Sequence, residues 1–158
     1  MTPNQAALLA VIRHTEGTDR AADPYRVCCF YDHTIADLRD HPAITGEWMG
    51  VSIARLGPQY VGKVSTAAGA YQLIRPTWEG CKLRLRLGSF AASCQDDAAL
   101  DLIKRRGALP AIEAGDLHAA IALCAPEWAS LPGSASGQPQ AKMAAILSAY
   151  LQAGGALA

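Results

Sequence analysis

The stretch "HTEGTD" (residues 14–19) sets a carboxylate at the end of a helical pattern, immediately before a glycine. An acid suits the start of a helix, where the macrodipole is positive, and not its end. The residues upstream read clearly. Thr2 suits an N-cap, Pro3 the first helical position, and Gln5 completes a capping box. Leu8, Val11, Ile12 and Thr15 recur at helical spacing, and Gly17 is the expected stop. Glu16 follows Ile12 by one turn, so it lies on or beside the buried stripe. A lone Glu near a helix end is most often a surface residue. Here the helix end and partial burial both disfavour the charged form, so Glu16 is expected to titrate above the ~4.3 of an ordinary Glu. Arg13, three residues earlier, is the neighbouring charge that could pull it down again. A raised carboxyl is what a general acid near neutral pH requires.

Outward from this helix the texture changes. Residues 20–64 are broken by Pro24, Pro42, Gly46, Gly50, Pro58 and Gly62, and "YRVCCFY" (25–31) has strand composition. A small irregular β lobe with long loops is expected over about 20–64. From residue 76 the pattern is helical to about 155. One helix runs from Pro76 to Leu87 and stops at Gly88. Another is capped by Ser93 and runs through Arg106. Leu109–Ala114 is short, Asp116 caps a helix to about Cys124, and Gln140–Gln152 forms the last. The order of helix, small β region and helices predicts an α+β fold in a single domain over 1–158, with a cleft where its lobes meet.

The totals fit one domain of 158 residues. Apolar residues make up 51% and charged residues only 18%, below the ~25% of an average globular chain. That composition builds a core and argues against disorder. With 14 basic and 14 acidic side chains the net charge is zero, so no bulk field favours nucleic acid or an anionic membrane. The longest apolar run of the first helix, Ala6–Ile12, is far short of the ~20 residues a bilayer requires. The start lacks a secretory leader, so synthesis in the cytoplasm is expected. The five cysteines, Cys28, Cys29, Cys81, Cys94 and Cys124, contain no Cys-x-x-Cys pair and read as free thiols, mostly buried.

Two further groups carry possible chemistry. In "STAAGAYQLI" (65–74) a run of small residues leads into Tyr71 and Gln72. The plain reading is a tightly packed turn. The functional one is a backbone that approaches a flat ligand, with Tyr71 stacking on a sugar and Gln72 hydrogen-bonding to it; Ser65 at the head of the stretch is a further candidate contact. Asp32, Asp37 and Asp40, with His33 and His41, match no standard zinc or EF-hand spacing, so neither a metal nor another cofactor is expected. They read as turn and capping residues. One of them remains open as a second carboxylate for glycoside hydrolysis, and Asp37 is kept as a glycan contact.

Taken together, "HTEGTD", "STAAGAYQL" (65–73), "IKRRGALPAIEAGDL" (103–117) and "WASLPG" (128–133) resemble the lambda-type bacteriophage endolysins in order and separation. The resemblance implies a lysozyme-like fold and lytic transglycosylase activity on peptidoglycan. The β-1,4 bond between N-acetylmuramic acid and N-acetylglucosamine is cut to a 1,6-anhydro product. The family's catalytic Glu falls on Glu16, and its Tyr-Gln pair on Tyr71 and Gln72. The implied partner is the glycan strand, met by a monomer after a separate holin releases it from the host cytoplasm to the periplasm. The chain departs from the pattern in three places. Ala70 replaces an arginine before Tyr71, Cys28 and Cys29 replace small aliphatic residues, and Ser136 stands where a tyrosine follows "WASLPG", making Ser136 the corresponding candidate glycan contact.

Overall fold

The first helix, α1 (Pro3–Glu16), begins and ends where the sequence places it. The Thr2 hydroxyl accepts from the Gln5 N–H, and the Gln5 side chain accepts from the Thr2 N–H, so the capping box is complete. At the other end Gly17 is left-handed at φ 75°, and its N–H reaches the Arg13 and His14 carbonyls. A Cβ at Gly17 would meet nothing within 4 Å, so the backbone angle, not crowding, calls for glycine. The computed structural model describes residues 1–158. After α1 come α2 (Pro42–Thr45), strands β1 (Val51–Ser52) and β2 (Val64–Ser65), α3 (Arg75–Leu85), α4 (Ala92–Arg105), α5 (Leu109–Glu113), α6 (Leu117–Cys124) and α7 (Met143–Gln152). The fold is α+β. β1 and β2 pair antiparallel, Val51 opposite Ser65 and Ser52 opposite Val64.

The chain divides into two compact units, Met1–Arg20 with Ala99–Ala158, and Ala21–Ala98. In the first, α1 packs against α5 and α7. Its buried face, Ala7, Leu8, Leu9, Val11 and Ile12, joins a core with Ile103, Ile112, Leu117, Ile121, Ile146 and Tyr150. Each buried Leu, Ile or Val among them contributes about 1.5–3 kcal/mol by leaving water. Polar ties fix the N-terminal end of α1. Thr2 Oγ1 and Gln5 Nε2 both donate to Glu113 Oε1, and Asn4 Nδ2 donates to the Ile112 carbonyl.

The second unit is built around Trp78 and Phe90, whose rings meet edge-on with centroids 4.7 Å apart, and His41, 5.1 Å from Phe90. Asp40 accepts from Trp78 Nε1 and from Lys82 Nζ, which hold its carboxyl below the usual range despite partial burial. His41 is fully buried; burial lowers its pKa, and its two ring nitrogens bond the Leu73 carbonyl and the Ala43 N–H. The "DHP" residues Asp40 and His41 are thus committed to packing. Gln95, also fully buried, accepts from the Ala70 N–H and donates to the Tyr25 and Phe90 carbonyls. The Gly69 backbone passes so close that a Cβ there would lie 2.1 Å from Gln95 Oε1, and its φ is +75°. Tight packing therefore accounts for the small residues before Tyr71.

Three local expectations are corrected. "YRVCCFY" is not a strand. It folds as two 3-10 turns, Pro24–Arg26 and Cys29–Tyr31, around isolated bridges from Val27 to Thr34 and from Cys28 to Ala68. The chain reverses at Phe30 and Tyr31, both at φ 60°, which ends any ladder. The helix expected to stop at Gly88 ends at Leu85, because Arg86 turns left-handed at φ 56° and sends its N–H to the Lys82 carbonyl. The last helix starts at Met143 instead of Gln140, since the Ala141 N–H is bound by the Ser130 carbonyl at 2.8 Å. None of the five cysteines is in a disulfide. Four are buried, and burial pushes Cys28 and Cys124 up to about 12, which leaves those two unreactive near neutral pH.

Candidate active site

Every residue of "HTEGTD" has an identified place. His14 Nδ1 lies 2.8 Å from Asp19 Oδ2. The Thr15 hydroxyl donates to the Ile12 carbonyl at 3.1 Å, and Thr18, buried, donates to the Arg13 carbonyl. Gly17 closes the helix. Glu16, its last residue, is half-buried. Burial pushes its carboxyl up to about 7, against a smaller lowering by the Ser130 hydroxyl, which donates to Glu16 Oε1 at 2.7 Å. The upward direction is the one expected from the helix pattern. Its main cause is loss of water, and the downward pull comes from a serine.

Ser130 was not singled out by sequence reasoning. It sits in the "WASLPG" segment between α6 and α7, held on either side by the buried Trp128 and Leu131. Its carbonyl takes the Ala141 N–H, and its hydroxyl also reaches Thr15 Oγ1 at 3.0 Å. A polar residue in an otherwise apolar run was the available signal. At a separation of 114 residues nothing local links it to Glu16.

The other candidates are placed as follows. Glu16 and Ser136 belong to the first unit; Asp37, Ser65, Tyr71 and Gln72 belong to the second. Tyr71 cannot stack on a sugar as expected, because it is 0% exposed. Its ring packs edge-on against Tyr25, and its hydroxyl donates to Asp96 Oδ1 at 2.5 Å, an atom that Tyr25 also reaches at 2.9 Å. Gln72, at φ 49°, turns its amide nitrogen back onto the Val27 and Gly69 carbonyls, leaving Oε1 as the atom suited to an incoming donor. The Ser65 hydroxyl accepts from the Ala67 N–H. Asp37 takes the Arg39 N–H and guanidinium, the latter at 2.8 Å. The Ser136 hydroxyl accepts from the Gln138 N–H and shapes its own turn.

Two further acids, Asp32 and Glu47, are occupied too. Asp32 accepts from Trp48 Nε1 at 2.8 Å. Glu47 gathers the Ala36 and Asp37 N–H groups and His33, and these hold its carboxyl below the ordinary value. The arrangement at Glu16 is therefore that of one carboxyl, poised near neutrality and steadied on one oxygen by a hydroxyl donor. It can give a proton and take one back.

A sequence profile of the family described as Endolysin matches residues 6–157. The endolysin of Escherichia phage lambda is 36% identical over 154 residues, covering 94% of this chain and 90% of that protein. The endolysin of Escherichia phage P2 is 35% identical over 156 residues, covering 96% and 93%. Among solved structures, bacteriophage lambda lysozyme complexed with a chitohexasaccharide superposes with a TM-score of 0.87 at 34% identity, over 100% of this chain and 98% of that one. A second structure of that lysozyme gives 0.82 at 32% identity, with the same coverage. By profile, by sequence over nearly its full length, and by fold, this chain belongs to the endolysin family.

Proposed function

We propose that this endolysin-family chain is a lytic transglycosylase that cuts the MurNAc-GlcNAc β-1,4 bond of peptidoglycan and closes a 1,6-anhydro ring on the muramic acid. The observation that carries the reading is Glu16, a carboxyl raised to about 7. Asp32, Asp37 and Asp40, the acids considered for a second catalytic role, are each engaged by a tryptophan or a basic side chain. A hydrolase of the two-carboxylate kind needs a second acid to serve as nucleophile or to activate water. A transglycosylase needs none, because the substrate supplies its own nucleophile.

The proton balance closes on one residue. Protonated Glu16 gives its proton to the glycosidic oxygen as the bond from C1 to that oxygen breaks. The substrate's N-acetyl group or ring oxygen spreads the positive charge developing at C1. Glu16, now a carboxylate, takes the proton of the C6 hydroxyl as O6 bonds to C1. The residue ends as it began, protonated, with no water consumed. A pKa near 7 suits a group that must be acid in one half of the cycle and base in the other. The raised pKa also leaves a substantial share of the resting residue in the acid form near neutral pH, where an ordinary Glu would be almost wholly ionised.

The chitohexasaccharide held by lambda lysozyme supports a glycan strand as the substrate here. On this reading Gln72, Ser65, Asp37 and Ser136 are glycan contacts, and Tyr71 braces the turn that carries Gln72. The enzyme works as a monomer on the cell wall, after a separate holin releases it from the host cytoplasm. The test is the mass of the soluble muropeptides released from purified murein. Anhydro ends support the reading; reducing ends, heavier by one water, replace it with a hydrolytic muramidase.

A further inference from the structure

The Ser130 hydroxyl has one proton and two acceptors. Glu16 Oε1 lies 2.7 Å away and Thr15 Oγ1 3.0 Å away, and only one can be served at a time. Thr15 spends its own proton on the Ile12 carbonyl at 3.1 Å, so a lone pair of its oxygen remains for Ser130. When Glu16 is a carboxylate, the charge-assisted bond from Ser130 wins. When Glu16 carries its proton on Oε1, that proton points at Ser130 Oγ, and Ser130 must turn its hydrogen elsewhere. Thr15 Oγ1 is placed to receive it. The chain then runs from Glu16 to Ser130 to Thr15 to the Ile12 carbonyl, every donor satisfied and no heavy atom moved.

We propose that Thr15 is a positioning residue for Glu16, acting through Ser130 as the alternative acceptor of the Ser130 proton, so that the acid form of Glu16 is held as well as its anion. The inference rests on the reading of Glu16 as the acid and base of the reaction. It assigns to Thr15 a role opposite in sign to that of Ser130. Ser130 donates to the anion and favours it, whereas Thr15 exists for the protonated state and favours that. When Glu16 ionises, Ser130 turns its hydrogen from Thr15 to Oε1 and meets the charge.

Other titratable groups lie on α1 and on the elements packed against it. Arg13 and His14 precede Glu16, Asp19 and Arg20 follow in the 3-10 turn Thr18–Arg20, Glu113 lies on α5 and Tyr150 on α7. His14 is bonded to Asp19, Glu113 to Thr2 and Gln5 at the opposite end of the helix, and the nearby Glu127 to Arg106. All of them are retained in the variants below, so their fields are common to every comparison.

The experiment is a carboxyl-carbon NMR titration of Glu16 in the intact protein, without substrate. It reads the site whether the products prove anhydro or hydrolysed, so its failure is distinct from failure of the transglycosylase reading. Thr15→Val is expected to move the midpoint down by about half to one pH unit, the worth of one neutral hydrogen bond. Thr15→Ser, which keeps the hydroxyl, should restore the parent value. In a Ser130→Ala background Thr15→Val should move nothing. An unchanged or raised midpoint in Thr15→Val would overturn the proposal, as would an equal downward shift without Ser130. Should Thr15→Val fail to fold, Thr15→Ala is read in its place by the same criteria.

Discussion

Ser130 Oγ lies 2.7 Å from Glu16 Oε1, a hydroxyl brought by the loop after α6 to the last residue of α1. It is the one hydrogen bond among the causes that set the Glu16 pKa, and it opposes the larger effect of burial. Ser130→Ala should raise the Glu16 pKa by a further ~1–2 units, the worth of a hydrogen bond to a charged group. On the proposed mechanism the resting Glu16 must carry its proton, so the alkaline limb of the pH–rate profile should move to higher pH. A profile that keeps its position while only its height falls would contradict this assignment.

Burying Glu16 has a cost in stability that depends on pH. Its pKa rises from about 4.5 to about 7 on folding, so the folded state holds its proton where the unfolded state has lost it. Below pH ~4.5 both states are protonated and no penalty exists. The penalty grows from there and levels off above pH ~7 at about 3 kcal/mol. Glu16→Gln should therefore stabilise the protein by up to that amount at pH 8 and by nearly nothing at pH 4. Urea unfolding at the two pH values measures the difference. A variant no more stable than the parent at pH 8 would show that the carboxyl is not desolvated.

Tyr71 separates a buried brace from a sugar platform. Tyr71→Phe removes the hydroxyl that bonds Asp96 and leaves the ring in place against Tyr25. The expected loss is about 1–2 kcal/mol of stability, with KM for murein little changed. A raised KM at unchanged stability would return Tyr71 to the sugar.

Asp40 joins α3 to the turn before α2 through Trp78 and Lys82. Its pKa is lowered on folding, so its stabilisation is present above the ordinary 3.8 and is lost as the pH falls through its folded value. Asp40→Asn should cost about 1–2 kcal/mol at pH 7, since Lys82 is partly solvated, and progressively less in acid. Denaturant midpoints across that range test it. A loss that does not shrink in acid would assign the effect to packing.

What could be read from the sequence follows the range of the interactions. The limits of α1 were legible because a capping box, a first-position proline and a left-handed glycine are written within a few residues, and the direction of the Glu16 shift was legible because the residue follows the buried Ile12 by one turn. The caps and stops around Asp116 and Gly107 were legible for the same reason. The turn at Phe30 and Tyr31 was not, because two aromatic residues at φ 60° carry no local signature. Nor was the role of Tyr71, since its burial depends on Tyr25 and on Asp96, distant in sequence. Ser130 escaped because its bond to Glu16 spans 114 residues. The small residues from Thr66 to Ala70 suggested both a packed turn and a ligand surface, and Gln95 against Gly69 decides for the turn.

In the proposed mechanism Glu16 alone serves as acid and then base, with the muramic acid C6 hydroxyl as nucleophile. Mass analysis of muropeptides released by the purified protein tests it most directly, with Glu16→Gln as the control. The parent protein should release 1,6-anhydro ends and the variant almost no soluble product. Reducing ends one water heavier, or anhydro product at an undiminished rate from Glu16→Gln, would contradict it.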